Sequence, residues 1–271
     1  SYRTLQQVAN NIAYHTDAIV TASDTLARDT QLYSLLTDRS EGLWEQVQAT
    51  LHLRKLIATA QSNLDVYRVR IFANSTQLFT HDQYNFFSIE DIDAQPWIAQ
   101  TASGGRPAFW QTTYWTRYAA EGERAVLSLV RVLRDLSNFD QVLGYLLIDV
   151  QQSQLSQLLL DTSWAGGERL YVVDAAGIVL SSVEESRLGT AVHEGLLGEE
   201  PFEPAARVGI VSCKAGSLLT CAIQGTGWYL TTLLPASALA NTLRTHEIGT
   251  LLLYAILTMI VVGLSTLTAS A

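Results

Sequence analysis

The stretch RAVLSLVRVLRDLSNFDQVLGYLLIDVQQSQL, residues 124–155, decides the reading of the fold. Its two apolar runs are strand-like, the residues Ser137 to Asp140 between them are a polar turn, and the following QQSQLSQLLLDTS is helical. Alternation puts Val126, Ser128, Val130, Val132 and Arg134 on one face of the first run, with Leu127, Leu129, Arg131 and Leu133 on the other. An arginine on the apolar face needs a carboxylate partner or an anionic ligand, and Asp149 on the second run is the candidate partner.

Upstream, RPAFWQTTYWTRY is a third strand-like run, separated from the first by a polar turn at Ala119 to Glu123. Before it, SIEDIDAQPWIAQTAS opens as a helix start at Ser88, whose nearby acids suit the positive end of the helix dipole. Those acids lack the glycine and closing glutamate of a calcium loop. DVYRVRIFAN alternates as a strand. These runs predict a five-stranded antiparallel sheet with helices on one side. Further upstream, Leu5, Val8, Ile12, His15, Ile19, Ala22, Leu26, Asp29, Tyr33 and Leu36 fall at alternating spacings of three and four, a heptad seam on one long helix serving as a stalk or dimer spine. His15 and Asp29 interrupt the seam as register-setting polar residues, and a second helix runs from about Glu41 to Gln61.

Downstream of Gly166-Gly167 the plan repeats. ERLYVVDAAGIVLSS is a hairpin turning at Asp174 to Gly177, SRLGTAVHEGLLG a loop with a short helix, GIVSCKAGSLLTCAI a hairpin turning at Ala215-Gly216, and GWYLTTLLP a last strand ending at Pro235. With that turn Cys213 and Cys221 fall on opposite faces, several pairs apart, and read as buried small hydrophobes, not a disulfide. ASALANTLRTHE is an exit helix, and from Ile248 to Ala271 no Asp, Glu, Lys, Arg or His occurs, which predicts a transmembrane helix. The fold class expected is therefore α+β: 1–63 a helical stalk, 64–160 and 161–235 two sheet modules, 236–247 the exit helix and 248–271 the span.

Chemistry is sparse. The 26 acidic and 17 basic residues give −9, which argues against nucleic acid and anionic lipid as partners. The histidines are scattered, no H-E-x-x-H or G-x-S-x-G occurs, and no phosphoacceptor or nucleotide motif is present, so no enzyme, metal or cofactor site is expected. Trp97, Trp110, Tyr114, Trp115, Arg117 and Tyr118 are concentrated in the first module, with Gln95, Arg131, Arg134 and Asp149 on neighbouring segments. Aromatic faces supply contact area while Arg and Asp supply directed hydrogen bonds, a combination suited to a small ligand. Trp97, Trp110, Tyr114, Trp115, Arg117, Arg131 and Asp149 are the candidate ligand-binding residues.

The ordered set PWIAQTASGGRPAFW, RAVLSLVRVLRD, VLGYLLIDV, LYVVDAAGIVLSS with SRLGT, and GTGWYLTTLLPASAL resembles the extracytoplasmic double Cache sensor region of bacterial transmembrane receptors, most closely the YesM-type sensor histidine kinases. The resemblance implies two PAS-like modules on a long helix, with the ligand pocket in the membrane-distal one. It also implies a first span before Ser1 and a HAMP linker and kinase module after Ala271. The chain is expected to be a homodimer in the cell membrane, with residues 1–247 outside the cytoplasm. The output expected is histidine kinase activity in a two-component system, with chemoreceptor or cyclase signalling, or a membrane tether partnering a transport solute-binding protein, as alternatives. Amino-acid-sensing members show Arg-x-Trp-Tyr on the pocket helix. The matching stretch here is Gln95-Pro96-Trp97-Ile98, in which only Trp97 agrees, so a neutral or carbohydrate-like ligand is expected.

Overall fold

The computed structural model describes residues 2–38, 42–75, 84–92, 94–102, 106–117, 122–160, 170–192, 202, 208–213 and 216–235. Helix α1 spans Tyr2–Ala27, α2 Thr30–Leu36 and α3 Leu43–Leu64. The single long helix expected from the heptad seam is thus broken, and Asp29 is the cause. Its carboxylate accepts hydrogen bonds from the backbone N–H groups of Gln31 and Leu32 at 2.9 and 3.0 Å, which makes it the N-cap of α2 and not an interruption of one seam. The seam itself is spent inside the chain: Leu5, Val8, Ile12, Ile19 and Leu26 are all buried. Those apolar positions therefore argue for packing within one chain, not for a dimer spine.

Strands β1 (Arg68–Ala73), β2 (Phe86–Ser88), β3 (Ala108–Trp110), β4 (Tyr114–Arg117), β5 (Glu123–Arg134) and β6 (Val142–Gln151) form the first sheet. Its order is β2-β1-β6-β5-β3, with β4 also paired to β5. This differs from the expected five antiparallel strands: the third run splits into β3 and β4, and β2 lies parallel to β1. Ser88 caps a short 3₁₀ turn at Ile89–Asp91 through its hydroxyl, and helix α4 (Pro96–Ala102) follows. One residue in the central pair admits no side chain at all. A Cβ on Gly144 would stand 2.3 Å from the Phe72 carbonyl oxygen, so only glycine lets β6 lie against β1 there.

After α5 (Gln152–Leu160), strands β7 (Leu170–Val173), β8 (Val179–Ser182), β9 (Val208–Cys213), β10 (Gly216–Ile223) and β11 (Trp228–Pro235) form the second sheet in the order β8-β7-β11-β10-β9. Both sheets place their last strand beside their first, so the repeat read from the sequence is a repeat of topology. The β7-β8 turn forms as expected: Asp174 accepts from the N–H groups of Ala176 and Ile178, and Gly177 takes a φ of +81°. Cys213 pairs with Gly216, so the β9-β10 register is one residue earlier than the turn expected at Ala215-Gly216. The shift preserves the alternation, so Cys213 and Cys221 still hold positions of opposite parity; Cys221 is buried and free.

The first sheet has two unlike faces. Leu129, Leu133, Leu146, Ile148, Val69 and Ile71 pack under Ile19, Leu26, Leu32, Leu53 and Ile57 of α1, α2 and α3. Phe72, Val130, Val132, Tyr145 and Leu147 face the other way and gather Trp97 and Ile92. The first half of α1, through Leu5, Val8 and Ile12, packs with Val172, Leu180, Leu219, Trp228 and Leu230 of the second sheet. Among the described residues no helix is long and apolar enough to cross a membrane. The expected exit helix and span at 236–271 lie outside the described residues.

Candidate functional site

The face of the first sheet turned away from α1–α3 carries the chemistry. Strand register sets Ser128 opposite Asp149 and Tyr114 opposite Val126, which brings Ser128, Asp149 and Tyr114 to that face. Arg68 is the direct cross-strand neighbour of Asp149, and Arg70, two residues on, shares its face and reaches Asp149 diagonally.

These four side chains close a ring. Arg70 Nη2 donates to Tyr114 Oη at 2.6 Å and to Asp149 Oδ1 at 2.8 Å, while its Nε lies 2.8 Å from Asp149 Oδ2. Ser128 Oγ donates to Asp149 Oδ1 at 2.5 Å. With that proton committed, the 2.7 Å contact between Tyr114 Oη and Ser128 Oγ has the phenol as donor. The phenol must therefore keep its proton. Burial pushes the Tyr114 pKa up and the Asp149 charge adds to this, outweighing Arg70 and the Ser128 hydrogen bond. Asp149 is wholly buried, and a two-point guanidinium contact is what such a carboxylate requires.

Beside the ring lies an aromatic wall. Trp97 is 7% exposed and meets Tyr145 and Phe109 edge-on, with ring centroids 5.4 and 6.1 Å apart. Phe72 stacks on Phe87 at 5.1 Å, and its ring lies 5.4 Å from the Arg70 guanidinium carbon. The Tyr145 hydroxyl is 3.1 Å from that of Thr101 on α4, and Trp97 Nε1 is buried with no partner among the described residues. Among the described residues that indole N–H is a donor without an acceptor.

The predicted residues divide between the two sides of the sheet. Trp97, Tyr114 and Asp149 come together on this face. Trp110 pairs with Leu129 in register and so belongs to the opposite side, where its ring lies 5.0 Å from that of Trp228 in the second sheet. Trp115 is 51% exposed and Arg117 is exposed at the end of β4. Arg131 is also on the helix side, and its partner is Asp24 of α1 at 2.7 Å, with Ser23 Oγ at 2.8 Å, in place of the expected Asp149. Gln95 is exposed; Arg134 donates to the carbonyls of Thr101 and Phe139; Tyr118 lies outside the described residues. Sequence reasoning missed Arg70, Phe72, Phe109 and Tyr145. The alternation of RVRIF already placed Arg70 and Phe72 on one strand face, yet nothing in it told which face that was. A separate cleft of about 470 Å³, lined by Thr37, Asp38, Asn74, Asp135 and Gln141 among others, contains none of the predicted residues.

No family model matches the sequence, and no curated protein does. Solved structures do. The ligand-binding domain of the Pseudomonas aeruginosa amino acid chemoreceptor PctB, in complex with L-Arg, aligns with a TM-score of 0.57 at 12% identity, over 87% of this chain and 94% of that one. The corresponding domain of PctC from the same organism, in complex with GABA, gives 0.58 at 15% identity over 85% and 96%. The periplasmic sensory domain of the Campylobacter jejuni chemoreceptor Tlp1 gives 0.64 at 9% over 86% and 93%. The chain has the fold of a periplasmic chemoreceptor ligand-binding domain. This supports the Cache-like architecture expected from the sequence without singling out the YesM-type kinases, and at such identities the likeness concerns the fold alone.

Proposed function

We propose that the chain is the extracytoplasmic ligand-sensing region of a transmembrane receptor of the chemoreceptor kind, non-catalytic itself, and that a small molecule binds on the aromatic face of its first module. The observation that carries this reading is the fold, aligned over 85–87% of the chain with the ligand-binding domains of PctB and PctC. Those domains hold L-Arg and GABA and belong to amino acid chemoreceptors, which favours a chemoreceptor over the expected histidine kinase and lends nothing to a carbohydrate ligand or a solute-binding protein partner. In this reading 64–160 is the membrane-distal module, 161–235 the proximal one, and 248–271 the anchor. Trp97, Tyr114 and Asp149, with Arg70 and Tyr145, are the residues proposed to line the site; Trp110, Trp115, Arg117 and Arg131 serve packing or surface roles. Ligand energy reaches the membrane only as a difference in affinity between two arrangements of the modules.

The test is thermal unfolding and calorimetry of the purified chain against a panel of amino acids, organic acids, sugars and nucleobases. A saturable ligand is expected whose affinity falls at least about tenfold in Trp97→Ala and in the milder Tyr145→Phe. A ligand whose affinity neither variant changes places the site elsewhere and overturns the reading.

A further inference from the structure

The Arg70 ring has the composition of a receptor for an organic cation. A buried carboxylate and a phenol oxygen contact the guanidinium, the Ser128 hydroxyl bonds both of them, and the Phe72 ring lies 5.4 Å from the guanidinium carbon. Anion, neutral acceptors and an aromatic face are what hold a guanidinium or ammonium group away from water. The occupant is part of the chain. Arg70 is anchored in β1, its side chain is 11% exposed, and it meets Asp149 through a hydrogen bond from Nη2, with Nε at ion-pair distance from the other carboxylate oxygen.

Selectivity follows from this arrangement. A ligand ammonium aimed at Asp149 would have to break the Arg70–Asp149 ion pair and move a guanidinium that is mostly buried, where separating the charges is strongly unfavourable. A ligand without a cation meets no such competition and can use the neighbouring Trp97, Tyr145 and Phe109 wall, which joins the ring through Phe72 and Leu147. Resting on the reading of this face as the ligand site, we propose that Arg70 is a tethered occupant of the Asp149 cation subsite, and that the receptor selects small molecules bringing no ammonium or guanidinium group of their own.

Methylguanidinium is the probe for the subsite, with N-methylurea as the uncharged control and sodium chloride at matched ionic strength. In Arg70→Ala it is expected to raise the unfolding midpoint saturably, with an apparent affinity at least about tenfold tighter than for the unmodified chain. The effect is expected to vanish in Arg70→Ala/Asp149→Asn. Should Arg70→Ala fail to fold, Arg70→Met keeps an apolar stem against Phe72 and serves in its place. Equal responses in the unmodified chain and the double variant would reduce the effect to general salt and overturn the proposal. A second arm compares L-alanine with L-lactate and other amino acids with their amine-free counterparts on the unmodified chain. Stabilisation by an amino acid that Asp149→Asn abolishes also overturns it. The probe needs no natural ligand, so loss of the subsite and loss of the site on this face are read separately.

Discussion

Arg70 and Arg131 stand on opposite faces of one sheet, and each is held by an acid that strand alternation could not name. Arg131 packs on the apolar side and reaches Asp24, a 43% exposed residue of α1, at 2.7 Å. Burial pulls the Arg131 pKa down and Asp24 restores part of it. The two partners are therefore not equivalent under mutation. Asp24→Ala leaves the guanidinium without its carboxylate and bonded to the neutral Ser23 hydroxyl, and is expected to cost about 2 kcal/mol, whereas Arg131→Met removes the charge from an apolar setting and should cost less. Urea unfolding of the two variants checks the order, and equal losses would mean that the pair acts as an ordinary surface bridge. The alternation of 124–134 correctly requires a partner for Arg131, because a charge on an apolar face always does. It cannot choose between Asp149 and Asp24, since one lies on the next strand of the same sheet and the other on a helix far earlier in the chain. Trp110 illustrates the same limit. Its size marks it for burial, but only the register with Leu129 puts it on the helix side instead of the site.

Elements are more legible than partners, because periodicity is a property of a segment and needs no knowledge of its neighbours. The hairpin of β5 and β6 is readable from end to end, including its turn, and the structure adds what fixes that turn. Asp135 Oδ1 accepts from the Ser137 hydroxyl at 2.6 Å, the Ser137 N–H at 2.7 Å and the Tyr33 hydroxyl of α2 at 2.7 Å. The Ser137 side chain first, then its backbone N–H and Tyr33, hold the Asp135 pKa down at about 2, below the ordinary 3.8. Between those values the unfolded chain binds more protons than the folded one, so stability rises with pH there. The contribution is complete above the unfolded value and disappears as pH falls through the folded one. Asp135→Asn is accordingly expected to lie below the unmodified chain in midpoint near neutral pH, with the gap closing between about pH 5 and pH 2. Thermal melts across that range measure it, and a gap independent of pH would assign the loss to geometry instead of charge. The break between α1 and α2 is where the sequence misleads, since Asp29 fits a heptad position and an N-cap equally well until the chain is seen to turn there.

At the scale of the whole molecule, side chains of the described residues join the two modules at several places, and two of these lie next to the proposed site. Thr113, one residue before Tyr114, donates its hydroxyl to the Leu180 carbonyl of β8 at 2.5 Å. Gln152, three residues after Asp149 and 2% exposed, donates Nε2 to the Ser182 carbonyl at 2.5 Å and lies 3.3 Å from the Ser181 hydroxyl. Trp110 meets Trp228 at another, with ring planes tilted by 56°. Helix α1 ties the same two bodies together, through Ile19 and Leu26 in one core and Leu5, Val8 and Ile12 in the other. A rearrangement at Tyr114 or Asp149 thus has a path of a few residues and one hydrogen bond to β8, which is what the proposed sensing role needs if its modules are to report one event. The physical requirement is that the sheets open together. Amide exchange followed by mass spectrometry is expected to give the slowest amides of β5, β6, β10 and β11 the same opening free energy in the unmodified chain. Trp110→Ala removes the aromatic contact at about 3 kcal/mol, and adding Gln152→Ala removes a clamp worth about 1 kcal/mol more. In the double variant β10 and β11 should exchange ahead of β5 and β6, because the coupling is then left to α1, α5 and the Thr113 hydrogen bond. If all four strands lose protection by the same amount, the joint is not a seam between cooperative units, and a signal passing through it would have to move the molecule as one body.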